Sequence, residues 1–293
     1  PPPPSEARRL RRRPTGFPPA SKAGQPRLSI APAESTTKNV RARITASGEP
    51  YAIVSDGCSG SPDTDIGARL LTVAAERVLN VGLGVTAPLL TGMVSWPAVP
   101  PQETSRRSVD LDRPHALDAT LLVATLDDAH HPYAAIWGDG AAAYRAASGE
   151  LRGVRLLAPA GAPLYVAYNW STRRYASYRE AAGEAPRRVV GLGINRGVGL
   201  DVSAVIPAPP YILPAPGAKV MAVFSDGVES FHDTAGVQVD PDDVIEELMA
   251  FKSLTGEFVK RRFYAFLRSA AARGWAHHDD LAMAAIYCGE PAA

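Results

Sequence analysis

Short apolar runs separated by turn residues dominate the chain, and helical spacing of apolar positions is confined to three stretches. Leu28-Ser-Ile-Ala31 opens the series. Tyr51-Ala-Ile-Val-Ser-Asp-Gly57 is an apolar strand running into an acidic tight turn, and Met221-Ala-Val-Phe-Ser-Asp-Gly227 repeats the phrase about 170 residues later. Between them, Ala119-Thr-Leu-Leu-Val-Ala-Thr125 and Tyr133-Ala-Ala-Ile-Trp137 read as strands joined through the polar Asp127-Asp128-Ala-His-His-Pro132, a hairpin. A third run, Ala142 to Arg145, follows Gly138-Asp139-Gly140 and reaches the turn Ser148-Gly149, so the region reads as an antiparallel meander. The aromatic run Leu164-Tyr-Val-Ala-Tyr-Asn-Trp170 predicts a further strand, and Leu281-Ala-Met-Ala-Ala-Ile-Tyr287 a last one behind His278-Asp279-Asp280.

The helical stretches carry their own start signals. Ser61-Pro-Asp63 precedes Leu70, Val73, Val78 and Leu79 at near-helical spacing, predicting a helix just behind Asp56. Pro241 with Asp242 and Asp243 opens a second helix running to Phe251, its acids favourable to the helix dipole. A third runs from about Gly256 to Ala272, with Phe258, Phe263, Phe266 and Leu267 as a core-facing stripe. Helices between groups of antiparallel strands predict an α+β layered domain.

Composition sharpens the boundaries. Of 293 residues, 46% are apolar, which suits one large domain. Residues 1–27 differ: they hold eight prolines, seven cations and Glu6 as the sole acid, which leaves 24 basic against 29 acidic residues in the rest. Such a segment buries too little to offset its ordering entropy, so it reads as a disordered tail ahead of a domain spanning 28–289. Nucleic acid or acidic lipid is conceivable for this tail alone, through simple electrostatics. The Pro-rich residues 97–114 read as a surface connection. No run is long and apolar enough to span a bilayer, and no apolar segment follows the early arginines as in a secretory signal. Cys58 and Cys288 make no disulfide framework, and a cytoplasmic monomer is expected.

Asp56, Asp226 and Asp279 sit at strand edges, far apart in sequence but able to converge in a fold. Hard divalent cations take oxygen ligands, so this set is a candidate Mg²⁺ or Mn²⁺ site. Each Ser-Asp-Gly is also ordinary turn chemistry, in which Asp and Ser bond back to the backbone and Gly accepts positive φ. No Gly-x-Ser-x-Gly or Cys-x5-Arg nucleophile motif is present.

The order Ser55-Asp56-Gly57, Ala119-Thr120 leading to Gly138-Asp139, Ser225-Asp226-Gly227-Val-Glu229, and Asp279-Asp280 before the last strand resembles the metal-dependent type 2C (PPM) serine/threonine protein phosphatases, over nearly all of 28–289. The resemblance implies a four-layer α-β-β-α sandwich of two antiparallel sheets with two Mn²⁺ or Mg²⁺ ions at one end. It implies Asp56 as the bridging carboxylate, the Gly57 carbonyl as a ligand of the second ion, Asp226 and Asp279 on the first ion, and Asp139 close by. The implied activity is hydrolysis of phosphoserine or phosphothreonine in a protein substrate by metal-activated water.

The chain departs from that pattern upstream of Asp56. Relatives carry an acidic residue there, whereas Thr36 to Arg43 contains none, and Val40 and Arg41 stand in its place beside Asn39. Arg41 and Arg43 are then candidates for the substrate phosphate, a role the family often gives a nearby arginine. The missing acid also opens a second reading, a pseudophosphatase that binds without turnover. Cys58 stands where many relatives have histidine and is either a metal-activated nucleophile or a small packed thiol. His277 and His278 beside Asp279 read as acid chemistry or as loop.

Overall fold

Period-two alternation in β3 (Pro50–Asp56) sends Ala52 and Val54 to one face of a sheet and Tyr51 and Ile53 to the other, and all four are buried. A sheet apolar on both faces needs cover on both. In the computed structural model, which describes residues 27–30, 38–61, 64–82, 115, 117–158, 161–183, 186–202 and 209–289, that cover is a second sheet on one side and a helix on the other. The Pro- and Arg-rich tail up to residue 26, and the 97–114 connection, lie outside the described residues.

The first sheet has the order β10 (Tyr211–Pro214), β5 (Pro132–Trp137), β4 (Leu121–Leu126), β3, β2 (Lys38–Ile44). The second runs β1 (Arg27–Ile30), β14 (Met283–Tyr287), β11 (Ala218–Phe224), β6 (Gly140–Ala146), β7 (Leu151–Leu157), β8 (Arg187–Gly193), β9 (Gly199–Val202). All pairings are antiparallel. Between the sheets, Val54, Leu122 and Ile136 meet Tyr144, Met221, Val223 and Ile286. Outside the first sheet lies α1 (Thr64–Asn80), whose Leu71, Ala75 and Val78 pack with Ile53, Val123 and Trp137. Outside the second lie α3 (Pro241–Leu248) and α4 (Phe258–Ala272), with Ile245, Leu248, Phe263 and Phe266 against Val220, Ala222 and Met283. The four-layer α-β-β-α sandwich expected from the resemblance is therefore the fold. A ribbon of β12 (Phe231–His232) and β13 (Ala276–His277), and α2 (Thr172–Ala182) between β7 and β8, complete it.

Two expectations are corrected. Strands β5 and β6 do not pair as a meander: β6 pairs with β11 and β7, so Gly138-Asp139-Gly140 carries the chain from one sheet to the other. Apolar runs record burial, and both sheets bury their strands alike. The aromatic run is not a strand either; Val166–Trp170 is a 3-10 helix leading into α2. Local bonds win there: Asn169 Nδ2 donates to the Val166 carbonyl at 3.1 Å and Ser171 Oγ accepts from Arg174 N at 3.3 Å, capping α2. Aromatic enrichment marks a half-buried surface more than a backbone preference.

Among the described residues no helix is long and apolar enough to cross a membrane. Both cysteines are free thiols, and burial pushes Cys288 up to about 12. With the thiolate as the nucleophile, this upward shift suppresses the reactive form of Cys288 at pH 8. Native alkylation mapped by mass spectrometry is expected to mark Cys288 at least roughly 100-fold more slowly than alkylation in denaturant. Equal rates would show that the burial is not maintained in solution.

Candidate functional site

The serine of each Ser-Asp-Gly phrase latches its turn to a neighbouring strand. Ser55 Oγ donates to the Thr120 carbonyl at 2.6 Å, while Asp56 N donates to Thr120 Oγ1 at 3.2 Å and Thr120 N to the Asp56 carbonyl at 2.8 Å. Ser225 Oγ donates to the Asp280 carbonyl at 3.2 Å and accepts from Ala282 N at 2.9 Å, and Ser225 N donates to the Ala282 carbonyl at 3.0 Å. The first latch ties β3 to the entry of β4, and the second ties the end of β11 to the entry of β14.

Glycines let the segments close. A Cβ on Gly57 would stand 2.7 Å from the Thr64 carbonyl group, so only glycine admits the first turn of α1 above the Asp56 turn. Thr64 Oγ1 donates to the Cys58 carbonyl at 2.9 Å, and Gly57 bridges to Ala119. A Cβ on Gly138 would stand 2.8 Å from Thr120 Cγ2, and one on Gly140 would stand 2.6 Å from the Phe224 carbonyl. With φ of +88° and +113°, these two glycines wedge the Asp139 turn between Thr120 of one sheet and Phe224 of the other. Gly227 lies against the Asp280 carbonyl with no room for a side chain. The turns bearing Asp56, Asp139, Asp226 and Asp279 thus share one end of the sandwich.

The carboxylates differ in surroundings. Asp56 is 8% exposed at the end of β3, and the β2–β3 register sets Lys38 across from it. Asp226 begins a 3-10 turn ending at Glu229, whose carboxyl is pushed up by burial, with Asp226 adding to the rise and Arg155, ion-paired at 2.8 Å, opposing it. Asp279 Oδ1 accepts from Asp280 N at 2.7 Å. Burial first, then Cys58 and Asp139, push the Tyr165 phenol up. His277 packs 5.0 Å from the Phe231 ring with Nδ1 2.9 Å from the Asp279 carbonyl, and His278 lies 5.2 Å from His232.

The donors are of the hard oxygen type that Mg²⁺ and Mn²⁺ take, and the turn geometry turns them to one end. Among the described residues, however, no three His, Cys, Asp or Glu side chains are gathered closely enough to hold a metal ion. The donor set fits in kind and in location and is not drawn into a coordination shell.

Arg41 and Arg43 do not join this end. Both pair with Glu76 of α1, at 2.7 and 3.3 Å, and Tyr51 donates to the same carboxylate at 2.5 Å. Their register partners are Ile53 and Tyr51, which puts them about 10 and 17 Å along β2 from the Lys38–Asp56 pair at roughly 3.3 Å per residue. In their stead the fold brings a different pair to the Asp56 turn. Asp118, whose carbonyl accepts from Cys58 N at 2.8 Å, ion-pairs with Arg174 of α2 and lies 2.9 Å from His115 Nδ1. Arg174 also sits over the Tyr168 ring at 5.6 Å. Nothing in the linear pattern connects Asp118 to Arg174 across 56 positions; the only signal was the aromatic run just before Arg174, read as a strand.

No protein-family model matches the chain, and a search of curated proteins finds no match. Solved structures do match. The RsbU and RsbW domains of Rv1364c from Mycobacterium tuberculosis align with a TM-score of 0.50 at 11% identity, over 92% of this chain and 62% of that one. The PP2C phosphatase domain with a regulatory fragment of SpoIIE from Bacillus subtilis aligns at 0.49 and 10%, over 93% and 66%, and the serine/threonine phosphatase Stp1 from Staphylococcus aureus at 0.46 and 10%, over 90% and 94%. The chain thus spans less than two thirds of the first two. At these identities the likeness is one of fold alone, resting on the first of the three and on the layer order described above: an α+β sandwich like that of the RsbU and RsbW domains of Rv1364c.

Proposed function

We propose that this chain is a divergent type 2C phosphatase that hydrolyses phosphoserine or phosphothreonine in a protein substrate, with two Mn²⁺ or Mg²⁺ ions held by Asp56, the Gly57 carbonyl, Asp226 and Asp279, and Asp139 beside them. The observation that supports it is the double serine latch. Two separate Ser-Asp-Gly turns are tied, by the same hydroxyl chemistry, to the two strand entries that carry the remaining motif residues, Thr120 and Asp280. When bound, such ions supply a water of lowered pKa and neutralise phosphate oxygens during in-line attack.

The chain's own contribution is positioning. The Ser55 and Ser225 latches orient the turns, Gly57 lets the first turn of α1 close over the Asp56 turn, and the Arg155–Glu229 pair steadies the 3-10 turn that carries Asp226. The Asp118–Arg174 pair tethers the β7–β8 insertion next to the Asp56 turn, which gives that insertion the position of a substrate rim. We take the protein to act in the cytoplasm as a monomer.

The pseudophosphatase reading has specific observations in its favour: among the described residues the carboxylates are not gathered into a group that could hold a metal, and Val40 and Arg41 stand where an acid is expected, with Arg41 engaged by Glu76. Calorimetric titration with Mn²⁺, paired with release of phosphate from a phosphoserine peptide, separates the two. Two Mn²⁺ sites with hydrolysis are the expected result; one site or none, without hydrolysis, would establish the binding module instead.

A further inference from the structure

A hairpin tip without buried side chains is held by its own turn bonds and by whatever its charges reach. Residues 194–201, from the β8–β9 turn into β9, are all exposed. Arg196 N donates to the Gly193 carbonyl and Val198 N to the Asn195 carbonyl, both at 3.0 Å, closing the turn. The Arg196 guanidinium reaches beyond it to the start of α3, where it pairs with Asp240 and lies 3.1 Å from Asp243 and 3.5 Å from Asp242. Exposed pairs such as the first two contribute little. Asp242 differs, being only 6% exposed. Its other carboxylate oxygen lies 3.5 Å from Arg155 Nε, and Arg155 Nη1 lies 2.8 Å from Glu229, the last residue of the 3-10 turn that Asp226 begins. Charge therefore alternates without a break from hairpin to turn, through Arg196, Asp242, Arg155 and Glu229.

The middle of this series is under-bonded. Arg155 Nε and Asp242 Oδ2 are buried with no hydrogen-bond partner among the described residues, since each 3.5 Å gap is an ion pair too long for a good hydrogen bond. Asp242 is thus shared between two arginines, and Arg155 between two carboxylates. Without Arg196, Asp242 is free to close on Arg155 Nε and to draw the guanidinium off Glu229, because a buried donor and a buried acceptor gain by pairing. We propose that Arg196 is a remote positioning residue: by holding Asp242 it keeps Arg155 on Glu229, and so fixes the turn that carries Asp226. Its bearing on turnover rests on the phosphatase reading, whereas the coupling of hairpin to turn does not. A bare charge effect has the opposite sign. Removing a cation favours a metal ion nearby, while loosening the turn that bears its ligand weakens its binding.

The test is amide hydrogen exchange of the full chain, stripped of metal with a chelator and read by mass spectrometry on peptides spanning 225–231 and 55–58. The first contains the turn bonds from Val228 N to the Ser225 carbonyl and from Ser230 N to the Gly227 carbonyl. R196Q is expected to shift the melting temperature by under about 4 °C, as for a surface ion pair, yet to speed exchange in 225–231 by about threefold or more and leave 55–58 unchanged. R196K, which keeps the charge, is expected to return to within about twofold of wild type. In D242N the competing carboxylate is gone, so adding R196Q is expected to leave exchange in 225–231 as it is in D242N alone. Equal exchange in wild type and R196Q would overturn the proposal, as would acceleration of both peptides alike or a full R196Q effect on top of D242N. Calorimetry with Mn²⁺ then reads the consequence: R196Q is expected to bind about three- to tenfold more weakly, and equal or tighter binding would overturn the positioning role. A wild type that takes up no Mn²⁺ would refute the phosphatase reading alone, with the exchange arms still deciding the coupling.

Discussion

Alanine at Asp226 is expected to lower Mn²⁺-dependent hydrolysis of a phosphoserine peptide by at least about 100-fold while leaving the chain folded. The lower bound follows from what outer partners of metal ligands cost when removed, roughly 10- to 100-fold; a direct ligand exceeds that. Folding is spared because the latch at this turn runs through Ser225 and through main-chain groups of 280 and 282, not through the Asp226 carboxylate. The charge at Asp226 also contributes to pushing the buried Glu229 carboxyl up, so its removal relieves a repulsion. The metal-free melting temperature should therefore hold or rise slightly, and the Mn²⁺-induced increase should disappear. Wild-type turnover in D226A would sink the proposed mechanism, whereas lost turnover with a lowered metal-free melting point would show only a misfolded turn.

Gly227→Ala should have the opposite signature, a stability loss that damages the site indirectly. Its Cβ would collide with the Asp280 carbonyl oxygen and stand 2.9 Å from Leu281 Cα, both main-chain atoms that no side-chain rotation can clear. The two turns must separate, breaking the Ser225–Asp280 latch. Overpacking of this kind costs about 3 kcal/mol, and for a domain of this size that lowers the melting temperature by roughly 6 to 12 °C. Excess Mn²⁺ is not expected to restore it, because the separation moves Asp226 away from Asp279. An unchanged melting curve would mean that the two segments do not meet as described.

Sequence and structure part company at identifiable places. The strand at Tyr51 to Asp56, the helix behind it and the Phe258, Phe263, Phe266 stripe were legible because each is patterned by burial of a single element. The Gly138-Asp139-Gly140 crossing was not, because a change of sheet leaves the alternation of its flanking strands intact. The run 164–170 was misread because its aromatics mark burial without specifying a period, while the bonds that decide it are single contacts at Asn169 and Ser171. Arg41 and Arg43 lie close to Asp56 in sequence yet are engaged by Glu76, since a strand carries each residue about 3.3 Å further from its neighbour's site.

By itself the sequence determined the layer class, the strand ending at Asp56, the helix behind it and the start of the helix at Pro241, because these depend on local alternation, caps and turn residues; that helix ends at Leu248 rather than Phe251. The tertiary structure alone decided that both serines act as latches, that Asp118 rather than Arg41 reaches the Asp56 turn, and that the carboxylates share an end without closing into a cluster among the described residues. These are pairings across 50 positions or more, or burials set by what packs on top, and neither leaves a trace in the linear order of apolar and polar residues.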